Sequence, residues 1–272
     1  MLKKILLASF VAVMMLSGCS STKDVNDNTT KNEEANSPDD EYEDLKKKLL
    51  AGGDEFPQLE EPKEGEEIAI IQTNMGDIKV KFCKDEAPKA VENFVTHAKE
   101  GYFDGLTFHR VVEDFVIQGG DPTGTGMGGE SIWGQPFEDE FSPNMYHFNG
   151  ALAMANSGAN TNGSQFYIVS KPEVTAGYFE YVEQVKNENG TDELLVNGNT
   201  NKMFKFNYSD EAKKHYEELG GTPELDYGYT IFGQVFDGMD VVDAINSVEV
   251  DSSDKPVNDV VIEKVTITEY SK

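Results

Sequence analysis

The stretch FHRVVEDFVIQGGD, Phe108–Asp121, decides how this chain is read. FHRVV and FVIQGG, two short β-branched and aromatic runs on either side of Glu113–Asp114, predict a pair of strands around a tight turn. The same stretch holds the only arginine of the chain, Arg110; every other one of the 23 basic residues is lysine. Arginine differs from lysine in offering five donors in a flat, fixed fork. A guanidinium between apolar residues therefore suggests a place where a floppy point charge would not serve. A surface ion pair among the many acids is the alternative.

Outward from this pair the pattern stays that of a sheet. IAIIQT, NMGD and IKVKF read as two strands and a turn. APKAVENFVTHAKEG reads as a helix, with Pro88 near its start, Gly101 after its end, and Ala90, Val91, Phe94, Val95 and Ala98 on one stripe. A glycine-rich loop, Asp121–Gly129, is followed by strands near Ala151–Ala155 and Gln165–Val169. YTIFGQV and DVVIEKVTIT are further strands, flanking a second helix in DGMDVVDAINS. Some eight strands and two helices without β–α–β alternation predict a mainly β fold, a closed eight-stranded antiparallel barrel with its ends covered by the two helices. Residues 172–223 interrupt it as a partly helical insertion. Val174–Lys186 and Ser209–Leu219 read as helices, the second capped by Ser209 and stopped by Gly220–Gly221. The insertion is either a tolerated surface excursion or a wall beside a site.

The 272 residues suit one or two domains. Fifty acids against 23 bases give a net charge of −27, which argues against nucleic acid and against charge-driven adhesion to anionic lipid. The N-terminus nevertheless suggests a membrane. Lys3 and Lys4 precede an apolar run, Ile5–Leu16, short for a bilayer span and suited to a signal peptide. The following LSGC, Leu16–Cys19, resembles the lipobox of bacterial lipoproteins. It implies a signal peptide over 1–18, a lipid on Cys19, and an extracytoplasmic domain anchored to the bacterial cell membrane; two acyl chains suffice for stable anchoring. An ordinary secretory signal with a chance cysteine is the alternative. From Cys19 to residue 67 the chain is acidic and poor in apolar residues, which predicts a disordered tether ahead of a domain over 68–272. With Cys19 lipidated, Cys83 has no disulfide partner and reads as a buried, inert thiol.

Three segments then converge: FHRVVEDFVIQGGD; GALAMANSGANTNGSQFYIV, Gly150–Val169; and YTIFGQVFDGMDVVDAI, Tyr229–Ile245. Their order and content resemble the cyclophilin family of peptidyl-prolyl cis–trans isomerases, from about Ile68 to Glu269 apart from the insertion. With the lipobox and tether, the chain resembles the surface lipoproteins of that family in Gram-positive bacteria. The resemblance implies the cyclophilin-like barrel, rotamase activity on proline-containing unfolded or exported chains, no cofactor and no metal, and a monomer. It implies catalytic roles for Arg110, for Gln118 as the amide orienting it, and for Gln165 as a second amide. Phe115 and Val116 would form the proline pocket, Ala155 and Asn156 the edge that grips a peptide backbone, and Tyr167, Leu225 and Tyr229 pocket walls. Core packing is the alternative for the apolar residues, and rim hydrogen bonding for the two glutamines; Phe166 reads as core.

The chain departs from the family pattern at several positions. Val116 stands where methionine is usual, Tyr167 where phenylalanine is usual, and Tyr229 in place of a histidine common in eukaryotic members. Glu224–Leu225 replaces a Trp–Leu pair, which implies weak cyclosporin binding. Trp133, the sole tryptophan, lies near the glycine loop and is not the drug-contact residue.

Other chemistries find little support. GTGMGG, Gly124–Gly129, lacks the strand and helix of a phosphate loop and reads as the edge of a second, specificity pocket. His97, His109, His147 and His215 show no metal spacing, and His109 reads as a hydrogen-bonded structural residue. No G-x-S-x-G occurs. The rival reading is a proline-peptide-binding chaperone or adhesin with little catalysis.

Overall fold

The computed structural model describes residues 53–189, 195–197, 202–204 and 208–272. The signal peptide 1–18, Cys19 and the tether up to residue 52 lie outside the described residues. Among the described residues, no helix is long and apolar enough to cross a membrane.

Eight antiparallel strands make one curled sheet in the order β10-β1-β2-β9-β5-β6-β4-β3. The strands are β1 (Glu67–Thr73), β2 (Gly76–Phe82), β3 (Arg110–Val112), β4 (Phe115–Gly119), β5 (Ala151–Met154), β6 (Phe166–Ser170), β9 (Ile231–Asp237) and β10 (Ile262–Glu269). β7 (Leu195–Asn197) and β8 (Lys202–Phe204) pair separately within the insertion. The two edges of the sheet meet just before β3. Gly105 N–H donates to Ile262 O (2.8 Å), Ile262 N–H to Leu106 O (2.7 Å) and Phe108 N–H to Val260 O (2.9 Å). The sheet thus curls until its two ends meet through this short bridge.

The interior is filled. Ile71, Ile78, Val80, Phe103, Phe108, Val111, Ile117, Leu152, Phe166 and Ile168 form one core cluster. Helix α1 (Pro88–Lys99) lays Ala90, Val91, Phe94, Val95 and Ala98 onto it, the stripe its spacing predicts. Pro88 occupies the first turn, where a missing N–H costs nothing. The next two amides, Lys89 and Ala90, donate to Glu140 from a distant loop at 3.1 and 2.9 Å. At the other side α4 (Met239–Asn246) packs against β2, β3, β4 and β6. These are the two covering helices, and Phe166 is core as expected.

The insertion holds α2 (Tyr178–Asn189), which begins four residues later than its sequence pattern suggests, and α3 (Asp210–Leu219). Ser209 caps α3 by accepting the Ala212 amide at 3.1 Å. Gly220 ends it at φ 81°, where a Cβ would meet Lys171 O at 2.3 Å. Tyr208, Ala212 and Tyr216 form a second, aromatic core with Tyr146 and Phe148, joined by Phe56 and Phe179.

Phe56 corrects the tether. Residues 53–67, read from composition as disordered, are built into the domain. Pro57–Leu59 forms a 3-10 turn. The Gln58 side chain, 1% exposed, accepts from Tyr146 N–H (2.7 Å) and donates to Tyr146 O (2.9 Å) and Gln234 Oε1 (2.9 Å). Lys81 Nζ caps the turn at Pro57 O and Glu60 O, 2.8 and 2.9 Å away. Composition misled because a few anchors, Phe56, Gln58 and Leu59, carry the docking of an otherwise acidic segment. Gln58→Ala is expected to lower the unfolding free energy by about 1–3 kcal/mol for each buried polar group it strands. Urea unfolding followed by Trp133 fluorescence measures this; an unchanged midpoint would show that the segment adds nothing to the fold.

Candidate active site

Because the barrel interior is occupied by side chains, a site has to lie on its outer surface. Register builds it there. Arg110 pairs with Gln118, Gln118 with Tyr167, and Tyr167 with Ala153, one row across β3, β4, β6 and β5. Directly paired residues project to the same face of a sheet. Their neighbours Val111, Ile117, Ile168 and Leu152 project to the core.

Over this row lies a pocket of about 240 Å³ lined by Arg110, Phe115, Val116, Gln118, Ala155, Asn156, Tyr167, Leu225 and Tyr229. Every site residue expected from the sequence is among them except Gln165. That residue lines an adjoining 180 Å³ pocket, which shares Gln118, Ala155 and Asn156 with the first. Beneath the pocket, Cys83, Val116, Met145, Ala153, Tyr167, Val169 and Ile231 form an apolar bed. Burial there pushes the Cys83 thiol up to about 12, so it stays protonated and inert. The rings of Tyr167 and Tyr229 meet edge to face at 5.5 Å.

The polar groups are arranged differently from expectation in one respect. Gln118 Nε2 donates to Gln165 Oε1 at 2.9 Å, and Gln165 Nε2 donates to Gly126 O and Gly128 O at 3.1 and 2.7 Å. Gln118 thus holds Gln165, not Arg110. The guanidinium is steered by Asp254, whose Oδ2 lies 3.5 Å from Arg110 Nε. Asp254 is itself fixed: its carbonyl accepts Val111 N–H at 2.8 Å, and its amide donates to Asp251 O at 3.1 Å. Sequence reading missed Asp254 because 144 positions separate it from Arg110, and DSSDK carries no signal beyond that of a turn.

Asn156 Nδ2 donates to Asp139 Oδ1 (3.2 Å) and Gly228 O (3.4 Å). Its Oδ1 is buried and has no hydrogen-bond partner among the described residues. A buried acceptor at a pocket rim is costly unless a ligand donor or water meets it. The glycine loop is organised by Asp121, which accepts the amides of Thr123, Thr125, Gly126 and Gly128 between 2.6 and 3.2 Å. Burial works against that charge, but these donors outweigh it and hold the carboxyl at about 2. Gly120 starts the loop at φ 83°, with Ser164 O only 2.5 Å from where a Cβ would stand.

Other expectations change. His109 is buried, and neither ring nitrogen is hydrogen-bonded among the described residues, against the expectation of a hydrogen-bonded structural residue; burial lowers its pKa and favours the neutral ring. The insertion 172–223 reads from the sequence as a possible wall of this pocket, but none of its described residues lines it. Glu224 also lies outside the lining, 3.9 Å from Lys171 Nζ. Tyr167 carries a feature that sequence reading did not find: its hydroxyl lies 2.9 Å from Nε2 of the buried His147.

Comparison with known proteins bears on this geometry. The family model described as "Cyclophilin type peptidyl-prolyl cis-trans isomerase/CLD" matches residues 68–267. A protein of Staphylococcus saprophyticus named "Putative peptidyl-prolyl cis-trans isomerase" is 47% identical over 215 residues, which is 79% of this chain and 98% of the relative. A Staphylococcus aureus protein of the same name is 48% identical over the same shares. Among solved structures, a Cryptosporidium parvum cyclophilin type peptidyl-prolyl cis–trans isomerase is 31% identical with a TM-score of 0.56, covering 75% of this chain and 99% of the other. A second structure of that protein, in the presence of the dipeptide Ala-Pro, gives 30% and 0.55 over the same shares.

Proposed function

This chain belongs to the cyclophilin-type peptidyl-prolyl cis–trans isomerase family, and on that premise we propose that the outer-face pocket twists X–Pro bonds of exported polypeptides by non-covalent stabilisation. Rotation about an X–Pro amide costs about 18–20 kcal/mol because resonance is lost. In the twisted state the proline nitrogen becomes pyramidal and gains a lone pair. A donor aimed at that lone pair favours the twisted state over the planar one. Arg110 supplies it, and never by deprotonating. Its Nε faces Asp254, and its terminal nitrogens make no hydrogen bond or ion pair among the described residues.

The remaining residues hold the substrate. Phe115, Val116, Leu225, Tyr167 and Tyr229 take the proline ring. Ala155 and Asn156 hold the preceding backbone, with the unpaired Oδ1 of Asn156 accepting a peptide N–H. Gln165, locked by Gln118 and the glycine loop, keeps the second lone pair of its Oε1 for a substrate donor. The observation that carries this reading is the one row that joins the lone arginine to an apolar pocket sized for a small ring. That the Cryptosporidium relative was solved in the presence of the dipeptide Ala-Pro supports a proline-containing ligand class.

The test is isomerisation of a short X–Pro peptide by a chain beginning at Gly53, which keeps the docked segment. Arg110→Ala is expected to lower kcat/KM by two to three powers of ten, about 2.7–4 kcal/mol. Arg110→Lys should recover little of it, because the fork is lost while the charge stays. A parent chain no faster than the uncatalysed reaction, yet binding the peptide, would favour the chaperone or adhesin reading instead.

We further propose that the domain works outside the cell membrane, anchored through Cys19. The apolar run Ile5–Leu16, the LSGC motif and the acidic segment behind it support this. Palmitate labelling in a Gram-positive host should mark the parent and not Cys19→Ala, which should move to the soluble fraction. Label retained by the variant would overturn the anchor.

Cyclosporin binding is expected to be weak. Glu224 sets a carboxylate, paired toward Lys171, where the family's tryptophan offers an apolar face, and an apolar cyclic peptide cannot compensate a desolvated charge. Sub-micromolar affinity by calorimetric titration would refute this.

A further inference from the structure

The pocket wall Tyr167 is not an isolated ring. Its hydroxyl lies 2.9 Å from His147 Nε2. His147 Nδ1 lies 2.8 Å from Asp226 Oδ1, which also accepts the His147 backbone amide at 2.9 Å. Asp226 Oδ2 accepts the hydroxyl of Tyr216 at 2.8 Å. All four residues are buried: Tyr167 is 4% exposed, Asp226 2%, His147 and Tyr216 0%. Tyr216 belongs to α3 of the insertion, and Tyr167 belongs to β6 of the barrel.

The direction of the bonds follows from donor and acceptor chemistry. An ionised carboxylate only accepts, so His147 Nδ1 must carry a proton and donate to Asp226. In the neutral ring Nε2 then accepts, and the Tyr167 hydroxyl donates to it. Every polar atom of the chain from Tyr167 to Tyr216 is matched in this one arrangement. A fully matched buried network fixes geometry, and removing one member strands the next. Phenylalanine, usual in the family at the position of Tyr167, could not join such a network.

We propose that His147, Asp226 and Tyr216 are positioning residues for the proline pocket, holding the Tyr167 ring in place and making the pocket depend on the docking of the insertion. None of the described residues of the insertion lines the pocket, and this chain is the side-chain link between the two. The backbone supports the same link. Thr222 N–H donates to His147 O at 2.8 Å, and Asn149 N–H donates to Gly220 O at 3.3 Å, so the end of the insertion is clamped beside His147. The inference rests on the reading of this pocket as the proline site.

Tyr216→Phe keeps the ring in the aromatic core and removes only the hydroxyl. It is expected to raise KM for an X–Pro peptide about three- to tenfold, with kcat little changed, because a displaced wall weakens ground and transition states alike. In the background of Tyr167→Phe the same substitution should add nothing to KM. A merely structural role would lower the folded fraction, which reduces apparent kcat and leaves KM alone; that result overturns the proposal. An equal KM factor in both backgrounds, or no KM change in the parent, overturns it as well.

A second measurement needs no substitution. The ring-nitrogen NMR signals of His147 in the unsubstituted chain should report a single tautomer protonated at Nδ1, and should shift when an X–Pro peptide saturates the pocket. Signals unmoved at saturation would refute the coupling. Because this arm reads binding, a parent chain without isomerase activity would count against the catalytic reading and leave the positioning question answerable.

Discussion

The register of β3, β4, β6 and β5 is the constraint on which the site depends. Side chains alternate with a period of two, so a slip of one residue between β3 and β4 would send Arg110 into the core and Val111 to the surface. The row Arg110–Gln118–Tyr167–Ala153 exists only because the other row, Val111–Ile117–Ile168–Leu152, is held against Phe103, Phe108 and Phe166 inside the barrel. The apolar packing and the row beneath the pocket are thus two faces of the same hydrogen-bonded ladder. An eight-stranded barrel has room inside only for its own side chains, and the chemistry is displaced outward as a consequence.

What surrounds this ladder is a second packing problem. Tyr146–Phe148 lies beside β5 and would leave large aromatic surface exposed if nothing covered it. Two pieces of chain distant in sequence do so. Residues 53–62 arrive from the N-terminal side with Phe56, and α3 arrives with Tyr216 and Ala212. Phe56 touches both partners, lying 5.5 Å from Tyr146 and 4.6 Å from His215 of α3. The polar cost of this burial is met by Gln58, which satisfies Tyr146 at both backbone groups, and by Asp226, which takes three donors. A satellite core of this kind connects the segment that leads toward Cys19, the insertion and the wall of the pocket.

The parts legible in the sequence were those written in local periods. The eight barrel strands, the stripe of α1, the Ser209 cap and the Gly220 stop are all set by neighbours within a few residues, and they stand close to where the sequence placed them; the β7–β8 hairpin, in a stretch read only as turn-rich, does not. The pocket residues were legible through three long motifs, each carrying several site positions at once. Long-range pairings were not. Asp254 meets Arg110 through a bridge between distant loops, Gln118 turns to Gln165 because the glycine loop draws Gln165 toward it, and Tyr167 finds His147 across the sheet. Each is a choice of partner by a polar side chain, and periodicity contains no information about such choices. The docking of residues 53–67 escaped for a related reason: average composition hides three anchor residues among many acids.

The contact between Arg110 and Asp254 is best understood as aim and not as stability. At 3.5 Å through Nε, with both side chains about 40% exposed or more, it belongs to the class of surface pairs worth about 0–1 kcal/mol. A stronger, bidentate pair would occupy the terminal nitrogens and compete with a substrate for the fork. A chain with a net charge of −27 offers many carboxylates that could capture an exposed guanidinium in other directions. One fixed acid at Nε, anchored through its own backbone to Val111, settles the direction and leaves the other donors available. In this setting a lysine would be pulled toward whichever acid lay nearest, which is a physical reason for a chain otherwise built on lysine to keep its single arginine at this position.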